Sequence, residues 1–557
     1  MLHDHLISNP IIPGFYPDPS ICRKGDDFYL ACSSFELYPG IPVFHSRDLA
    51  HWKQISYAMT KENGFHVFAD KFNGGIMAPT IRYHKGLFYI ICCNFCDKGT
   101  FIVTAEDPAG PWSMPRWITD IPDLDCSLFF DEDDRTYLVF PGNDETQDNH
   151  RAIFLIQYDL ERGCRIGEKK KIWDSALRRA NSPEAPHIYR IGDYYYLMIA
   201  EGGTEHFHSV AIARSRTVDG FYHGYEANPV MTHRHMGFSY PIDNIGHADL
   251  IETPDGHWYA VMLGSRIVEG QHKNLGRETY LCPVVWERDW PVFSPGSGKI
   301  EWDYPADSSL VWEDGRQTDA CVLAENRSFG PMLDHFDLDR LNFHWNFWGT
   351  PYGDFFRIRN SRLFLKCLAR PLVRQLKFIS FGETEKVTDD CLSLIARRQT
   401  DISFEVTVEM TFTPRQQETA GLVIMQAANH MYRLEKFAPN KLRLVQVTTR
   451  QHSLVFLPDY SAQTEEVVLA ETDLSGQLEE SCILRLRAEK QRYLFLAGKD
   501  PEHLIKIAEA DGALINPEEV GGMTGTMIGL FASANQEKGY VTDHEASFDY
   551  FCYQPID

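Results

Sequence analysis

Three carboxylates recur at matched places in this chain. Asp18 stands 11 residues before Tyr29, and Met77, Asp125, Glu184 and His247 stand 12 residues before Tyr89, Tyr137, Tyr196 and Tyr259. Each tyrosine closes a short hairpin, so the five positions read as one equivalent place filled by Asp, Met, Asp, Glu and His. Asp or Glu often opens a strand as a cap or turn residue, and that reading stands for any one of them alone. Three at matched offsets point instead to acid–base hydrolysis. One carboxylic acid would protonate a leaving oxygen while a carboxylate activates water or attacks. The third, placed near the acid, would raise its pKa by like-charge repulsion and keep its proton on near neutral pH.

The elements that must position these groups are hairpins of one kind. NSPEAPHIYRIGDYYYLMIAEGG, residues 181–203, reads as a strand, a Gly192-Asp193 turn and an aromatic-rich second strand. RKGDDFYLACS, YHKGLFYIICC, FFDEDDRTYLVF and IETPDGHWYAVML repeat it. The tyrosine intervals of 60, 48, 59 and 63 residues suit a repeated all-β unit with variable outer loops. A repeat of this size with a few strands per copy predicts a propeller of five blades. The start of each innermost strand then faces the central channel, so the five side chains should converge on one mouth.

The propeller is expected over residues 5–300, followed by a polar linker at 301–329. From 330 to 557 the texture changes to period-2 alternation, as in ISFEVTVEMTF and ILRLRAEKQRYLFLAG, which predicts an antiparallel β-sandwich. The fold class is therefore all-β throughout, with no helix-length amphipathic segment.

A formal net charge of −24, with no basic patch against it, argues against nucleic-acid and anionic-membrane partners. No apolar run is long enough to span a bilayer. The thirteen cysteines are scattered and often set in apolar strands, which suits reduced thiols and a cytoplasmic location. Cys93 and Cys96 form a lone CxxC without a second pair. His206 with His208, and His233 with His235, have H-x-H spacing, but lie in loops without evident carboxylate partners.

FYPDPS, SSFELYPGIPVFHSRDLAHW, GGIMAP, DLDCSLFFDEDDRTYLV, PEAPHIYR, AEGGT, GHADL and GRET together resemble the β-xylosidases and α-L-arabinofuranosidases of glycoside hydrolase family 43. The resemblance covers nearly the whole chain, the DHFD opening and SFDYF ending of the sandwich included. It implies an inverting, exo-acting hydrolase that takes terminal xylose or arabinofuranose from short oligosaccharides. By the same resemblance Asp18 is the general base, Glu184 the general acid and Asp125 the group that tunes and orients Glu184. Arg277 would bond substrate hydroxyls, His247 would lie beneath the sugar near the channel axis, and Phe35 and Met77 would line the pocket. No cofactor is needed for this chemistry. A calcium ion could sit near His247 on the axis, or structurally between Asp334 and Asp549, where ordinary turn aspartates are the competing reading. Homo-oligomers are compatible with all of this.

The chain departs from the family pattern in places. Met77 replaces the usual Trp of GGIWAP, Thr80 follows Pro79 where an acidic residue or His is commoner, and Met523 and Met527 stand where pocket-closing phenylalanines are frequent. These changes remove aromatic platforms and bear on substrate identity more than on reaction type. Taken without the resemblance, Arg277 could form a surface ion pair, His247 a core hydrogen bond, and Phe35 and Met77 blade packing. Two other functions use the same scaffold. A carbohydrate-binding propeller would not need both Asp18 and Glu184, and a phosphorylase would need more cationic groups than Arg277 and His247.

Overall fold

The computed structural model describes residues 5–556 apart from 68–73, 96–97, 120, 122–123, 147–149, 175–179, 308–309, 311, 313–328, 374–391, 452–461, 476–479 and 538. Five four-stranded antiparallel sheets follow one another as blades, with innermost strands Ser20–Lys24, Ile76–His84, Ser127–Phe130, Glu184–Ile191 and Ile242–Glu252. Turn chemistry builds the inner hairpins. At the tip of the second, Lys85 and Gly86 have φ of 48° and 89°, the double left-handed turn that matches strand twist. The ring is closed by Leu6–Ser8, which pairs with Asp303–Pro305 inside the stretch read as linker. Asn9 reinforces the closure by donating to the carbonyls of Leu281 and Glu301.

The second half is a sandwich of an eight-stranded and a six-stranded antiparallel sheet. Its one departure from strand and turn among the described residues, apart from a 3-10 turn, is the four-residue helix Pro517–Val520, capped by the Asn516 side chain. Alternation buries one face of each strand. Val406, Val408 and Met410 meet Leu422, Ile424 and Leu434 in a core that also takes in residues of the first two blades.

The two domains share hydrogen bonds as well as apolar contact. Leu37–Tyr38 of the first blade pairs with Phe347–Trp348 of the sandwich. Arg398 donates to the Phe15 carbonyl at 2.7 Å and lies over the Tyr16 ring. Asn274 is held through both its side chain and its backbone. The side-chain amide donates to the carbonyls of Gly512 and Ile515, and the backbone carbonyl accepts from Gln426 and Thr526. Gly276 follows at φ 75°, where a Cβ would sit 2.4 Å from the Thr524 carbonyl oxygen. The sandwich thus grips the turn that ends at Arg277.

Candidate active site

The pairing registers refine the counting of equivalent positions. Ser20, Thr80, Ser127, His187 and Asp249 each pair with the residue two beyond the closing tyrosine. Two residues before each of these stand Asp18, Ala78, Asp125, Ala185 and His247, and all five are left-handed, with φ of 56°, 46°, 56°, 48° and 51°. These are the equivalent places. Met77 and Glu184 lie one residue earlier, contrary to the expectation of a single matched offset. The cause is turn length. The third and fifth blades have five residues between Phe130 and Thr136 and between Glu252 and Trp258, whereas the other three turns have two; with the ladder one pair shorter in those two blades, the net gain is one residue.

A bulge accompanies the left-handed residue in three blades, where Ala78–Pro79, Ala185–Pro186 and His247–Ala248 each oppose a single residue of the neighbouring strand. Bulges of this kind re-aim side chains at the end of a strand. Positive φ is costly for a residue with a Cβ, so five at one level mark a site where surroundings override local preference.

Below that level the ring of Ser20, Thr80, Ser127, His187 and Asp249 stitches the blades together. The Ser20 hydroxyl donates to Asp249 at 2.6 Å, Thr80 to the Cys126 carbonyl and Ser127 to the Pro186 carbonyl. Arg82 donates to both oxygens of Asp249, at 2.7 and 3.1 Å, and to His187 Nδ1 at 2.9 Å. The Tyr189 hydroxyl donates to Asp249 at 2.6 Å and accepts from the Leu250 amide. Burial would raise the Asp249 carboxyl, but Arg82 chiefly, with His187 and the Ser20 hydroxyl, holds it far below the usual range. Burial lowers His187 to about 3, so its ring is neutral. None of Arg82, His187 or Asp249 was singled out in the sequence. Asp249 stood in GHADL, but nothing local pairs it with a residue 167 positions away.

Asp18, Arg277, His247 and Phe35 come together above this ring. Asp18 is buried and accepts from the Ser33 hydroxyl at 2.6 Å and from Arg277 Nη1 at 3.1 Å. Burial opposes its charge, yet Arg277, His247 and the Ser33 bond together keep its pKa below the ordinary value. His247 Nδ1 lies 3.7 Å from Asp18, too far for a hydrogen bond. Burial lowers the His247 pKa, so Arg277 is the full charge beside the carboxylate. Arg277 also donates to Thr204 at 2.8 Å, and its guanidinium lies 5.6 Å from the Phe35 ring centre. Its Nη2 is buried and has no partner among the described residues. Ser33 and Thr204 were legible only as members of SSFEL and AEGGT.

Glu184 and Asp125 are half-buried on adjoining blades. The Ser127–Pro186 bond ties their two strands together, each residue standing two positions before one of its ends. Met77 and Phe35 pack with Phe15, Leu37 and Trp348, and Met523 of the sandwich covers the group. Met527 is buried at the start of the strand Met527–Ser533. Thr80 belongs to the stitching ring.

The remaining expectations also find places. His206 bonds Asp243 at 3.0 Å, His208 the Asn244 carbonyl, and His233 the Ile242 carbonyl and Ile300 amide. Asp334 accepts from Phe336, Asn342 and Trp345, and Asp549 pairs with Arg362, so each aspartate has partners of its own. The carboxylates nearest His247 are bonded to Arg277, Ser33, Arg82, Ser20 and Tyr189, and a calcium ion on the axis would compete with those bonds. Cys22, Cys32, Cys92, Cys282 and Cys482 are buried and unbridged.

Residues 7–291 match the model for glycosyl hydrolases family 43, and 333–554 match that of the β-xylosidase C-terminal concanavalin A-like domain. A xylosidase/arabinosidase of Butyrivibrio fibrisolvens is 36% identical, covering 99% of this chain and 100% of its own. A non-reducing end α-L-arabinofuranosidase of Bacteroides ovatus is 35% identical over 99% of this chain and 95% of its own. Among solved structures, a Bacteroides ovatus family 43 protein ascribed to a xyloglucan locus superposes with a TM-score of 0.81 at 33% identity, covering 99% of this chain and 100% of its own. A xylan β-1,4-xylosidase of Bacillus halodurans gives 0.81 at 29%, covering 98% and 100%.

Proposed function

This chain belongs to glycosyl hydrolase family 43, and from that premise we propose that it is an inverting exo-glycosidase releasing terminal xylose or arabinofuranose from short oligosaccharides. One observation carries the reading: a buried carboxylate, Asp18, kept ionised by an arginine whose second terminal nitrogen is buried and unspent.

In this reaction Asp18 takes a proton from water as the water attacks the anomeric carbon. Arg277 keeps the carboxylate charged beforehand, and its Nη2 donates to a hydroxyl of the terminal sugar. Glu184 gives its proton to the departing oxygen, while Asp125 disfavours early loss of that proton by adding negative charge nearby. Inversion requires base and acid to stand about 6.5–9.5 Å apart with water between them. Met523, Phe35, Met77 and Trp348 form an apolar wall contributed by both domains, which suits a pocket for a chain end better than an open groove. The buried, unbridged thiols favour a reducing compartment, where the substrate would be an imported oligosaccharide.

Hydrolysis of paired nitrophenyl β-xyloside and α-L-arabinofuranoside, with proton NMR of the first sugar released, tests the reading. Turnover of at least one of the pair is expected, with the α anomer of xylose appearing first from the β-xyloside. First appearance of the β anomer rejects inversion, and no turnover of either rejects the substrate class.

A further inference from the structure

Cys367, Glu418 and His544 lie together at one end of the sandwich, apart from the catalytic residues. Cys367 directly follows the strand Leu363–Lys366, His544 directly precedes Glu545–Pro555, and Glu418 directly precedes Thr419–Ala427 of the other sheet. The Cys367 amide donates to the His544 carbonyl at 2.9 Å, which holds those two residues opposite each other. One donor atom from each residue, a sulfur, a nitrogen and an oxygen, lies within 4.8 Å of the other two. Cys367 and Glu418 are buried, and the His544 side chain is 15% exposed.

We infer that this cluster is a zinc site that ties the two sheets of the sandwich together. Thiolate, imidazole and carboxylate are the donor types that zinc takes, at about 2.3, 2.0 and 2.1 Å respectively. Donors on a tetrahedral ion at those distances stand about 3.5 Å apart, so the bonded imidazole and carboxylate need to spread by about 1 Å while the sulfur, within 4.8 Å of both, settles at that spacing. His544 is the most exposed of the three, so water can reach the ion from its side to complete the shell.

Neighbouring groups already hold the ligands in place. The Arg415 amide donates to Glu418 Oε2 at 2.9 Å, and the His544 ring stacks on buried Phe412 with centroids 5.4 Å apart. Such supporting contacts fix ligand orientation. His544 Nδ1 bonds Glu418 Oε2 at 2.5 Å. When the ion enters, the Nδ1 proton moves to Nε2 of the same ring and the Cys367 thiol loses its proton to solvent. One proton is released per ion, and one thiolate with one carboxylate neutralises the divalent charge. A pair of buried anions offset in this way costs far less than either alone.

The full-length protein, stripped with a chelator, is titrated with Co2+ and then with Zn2+. One Co2+ per chain should give a thiolate-to-cobalt charge-transfer band and the strong visible bands of four-coordination, and Zn2+ should bleach both. Zinc at about a hundredfold above its Kd should raise Tm by about 5 °C or more. Cys367→Ser should abolish the charge-transfer band, and His544→Gln, on the more open side, should weaken zinc binding at least tenfold. Glycosidase activity should be unchanged in His544→Gln. Absence of a cobalt–thiolate band in the wild type, or its persistence in Cys367→Ser, overturns the site.

Discussion

Arg277 donates from Nη1 to Asp18 Oδ1 at 3.1 Å, while its buried Nη2 points at no protein partner among the described residues. The same side chain therefore has two separable effects. It holds Asp18 ionised, and it keeps one buried donor that a substrate hydroxyl could take.

Arg277→Met tests both. Loss of a charged hydrogen bond to substrate should lower kcat/KM by about 10- to 100-fold, from the ~1.5–3 kcal/mol such bonds contribute. With the guanidinium gone, burial acts on Asp18 less opposed and its pKa rises. The ionised base is then lost at a higher pH, so the acid limb of the pH–kcat/KM profile should move upward. A lower rate with an unmoved acid limb would leave Arg277 a substrate contact only.

Asp125→Asn acts on the opposite limb. If Glu184 is the acid it must be protonated, and a charge on the neighbouring Asp125 would favour that form. Removing the charge lowers the Glu184 pKa, so the alkaline limb should move to lower pH while the acid limb stays in place. The measurement is kcat/KM across pH for both proteins, and a shift of the acid limb alone would exclude this role.

How far these positions could be read from the sequence follows from what kind of contact makes them. The hairpin repeat, the fold class and the three carboxylates are local patterns: a turn, an alternating strand, a residue at the strand's start. The one-residue misplacement of Met77 and Glu184 arose because two inner turns have five residues and three have two, a difference that only the pairing register reveals. Arg82 with Asp249, and Leu37–Tyr38 with Phe347–Trp348, are contacts between distant parts of the chain. Nothing in either local sequence announces its partner.

Arg82→Met should be among the more destabilising single changes in the propeller. Asp249 is fully buried, and removing its cation leaves an uncompensated charge, which typically costs ~3–5 kcal/mol. Because the folded-state pKa of Asp249 is depressed, its contribution is present above the unfolded value of about 3.9 and is lost as pH falls through the folded value. In the variant, burial acts on Asp249 without Arg82 to oppose it and raises its pKa, so Asp249 takes up a proton as pH falls toward 4 and the deficit, largest near neutral pH, shrinks there. Urea midpoints at pH 7 and pH 4 read this directly.

Glu36 presents the opposite case. It adjoins Phe35 and lines a small cavity with Phe15, Trp348, Gln426, Met523 and Met527. Burial pushes its carboxyl up to about 8, well above the ~4.3 of an unfolded glutamate. The folded state therefore binds more protons than the unfolded state between these values, and stability falls as pH rises from about 4 to about 8. Glu36→Gln keeps the shape and removes this titration. The variant should match the wild type near pH 4 and exceed it by a few kcal/mol at pH 8, measured from urea unfolding at both. A wild type with no such decline would mean that Glu36 is ionised within the fold and paired there.

The roles of the two principal carboxylates separate by leaving group. If Glu184 supplies the proton, Glu184→Ala should cripple cleavage of natural oligosaccharides, whose departing alkoxide needs it. Nitrophenyl glycosides should suffer less, because a phenolate leaves without full protonation. Asp18→Ala should harm both substrates alike, since water must be activated whatever departs. Losing general acid or base help typically costs 10²–10⁴-fold, about 3–5 kcal/mol of barrier. Added azide offers a second reading of the same pair. A small nucleophile that needs no deprotonation should restore turnover to Asp18→Ala, and should do nothing for Glu184→Ala on an oligosaccharide, where the missing proton is on the leaving side. Equal losses for Glu184→Ala on both substrates would take the acid role from it, and undiminished activity without Asp18 would rule out base-activated water in this fold.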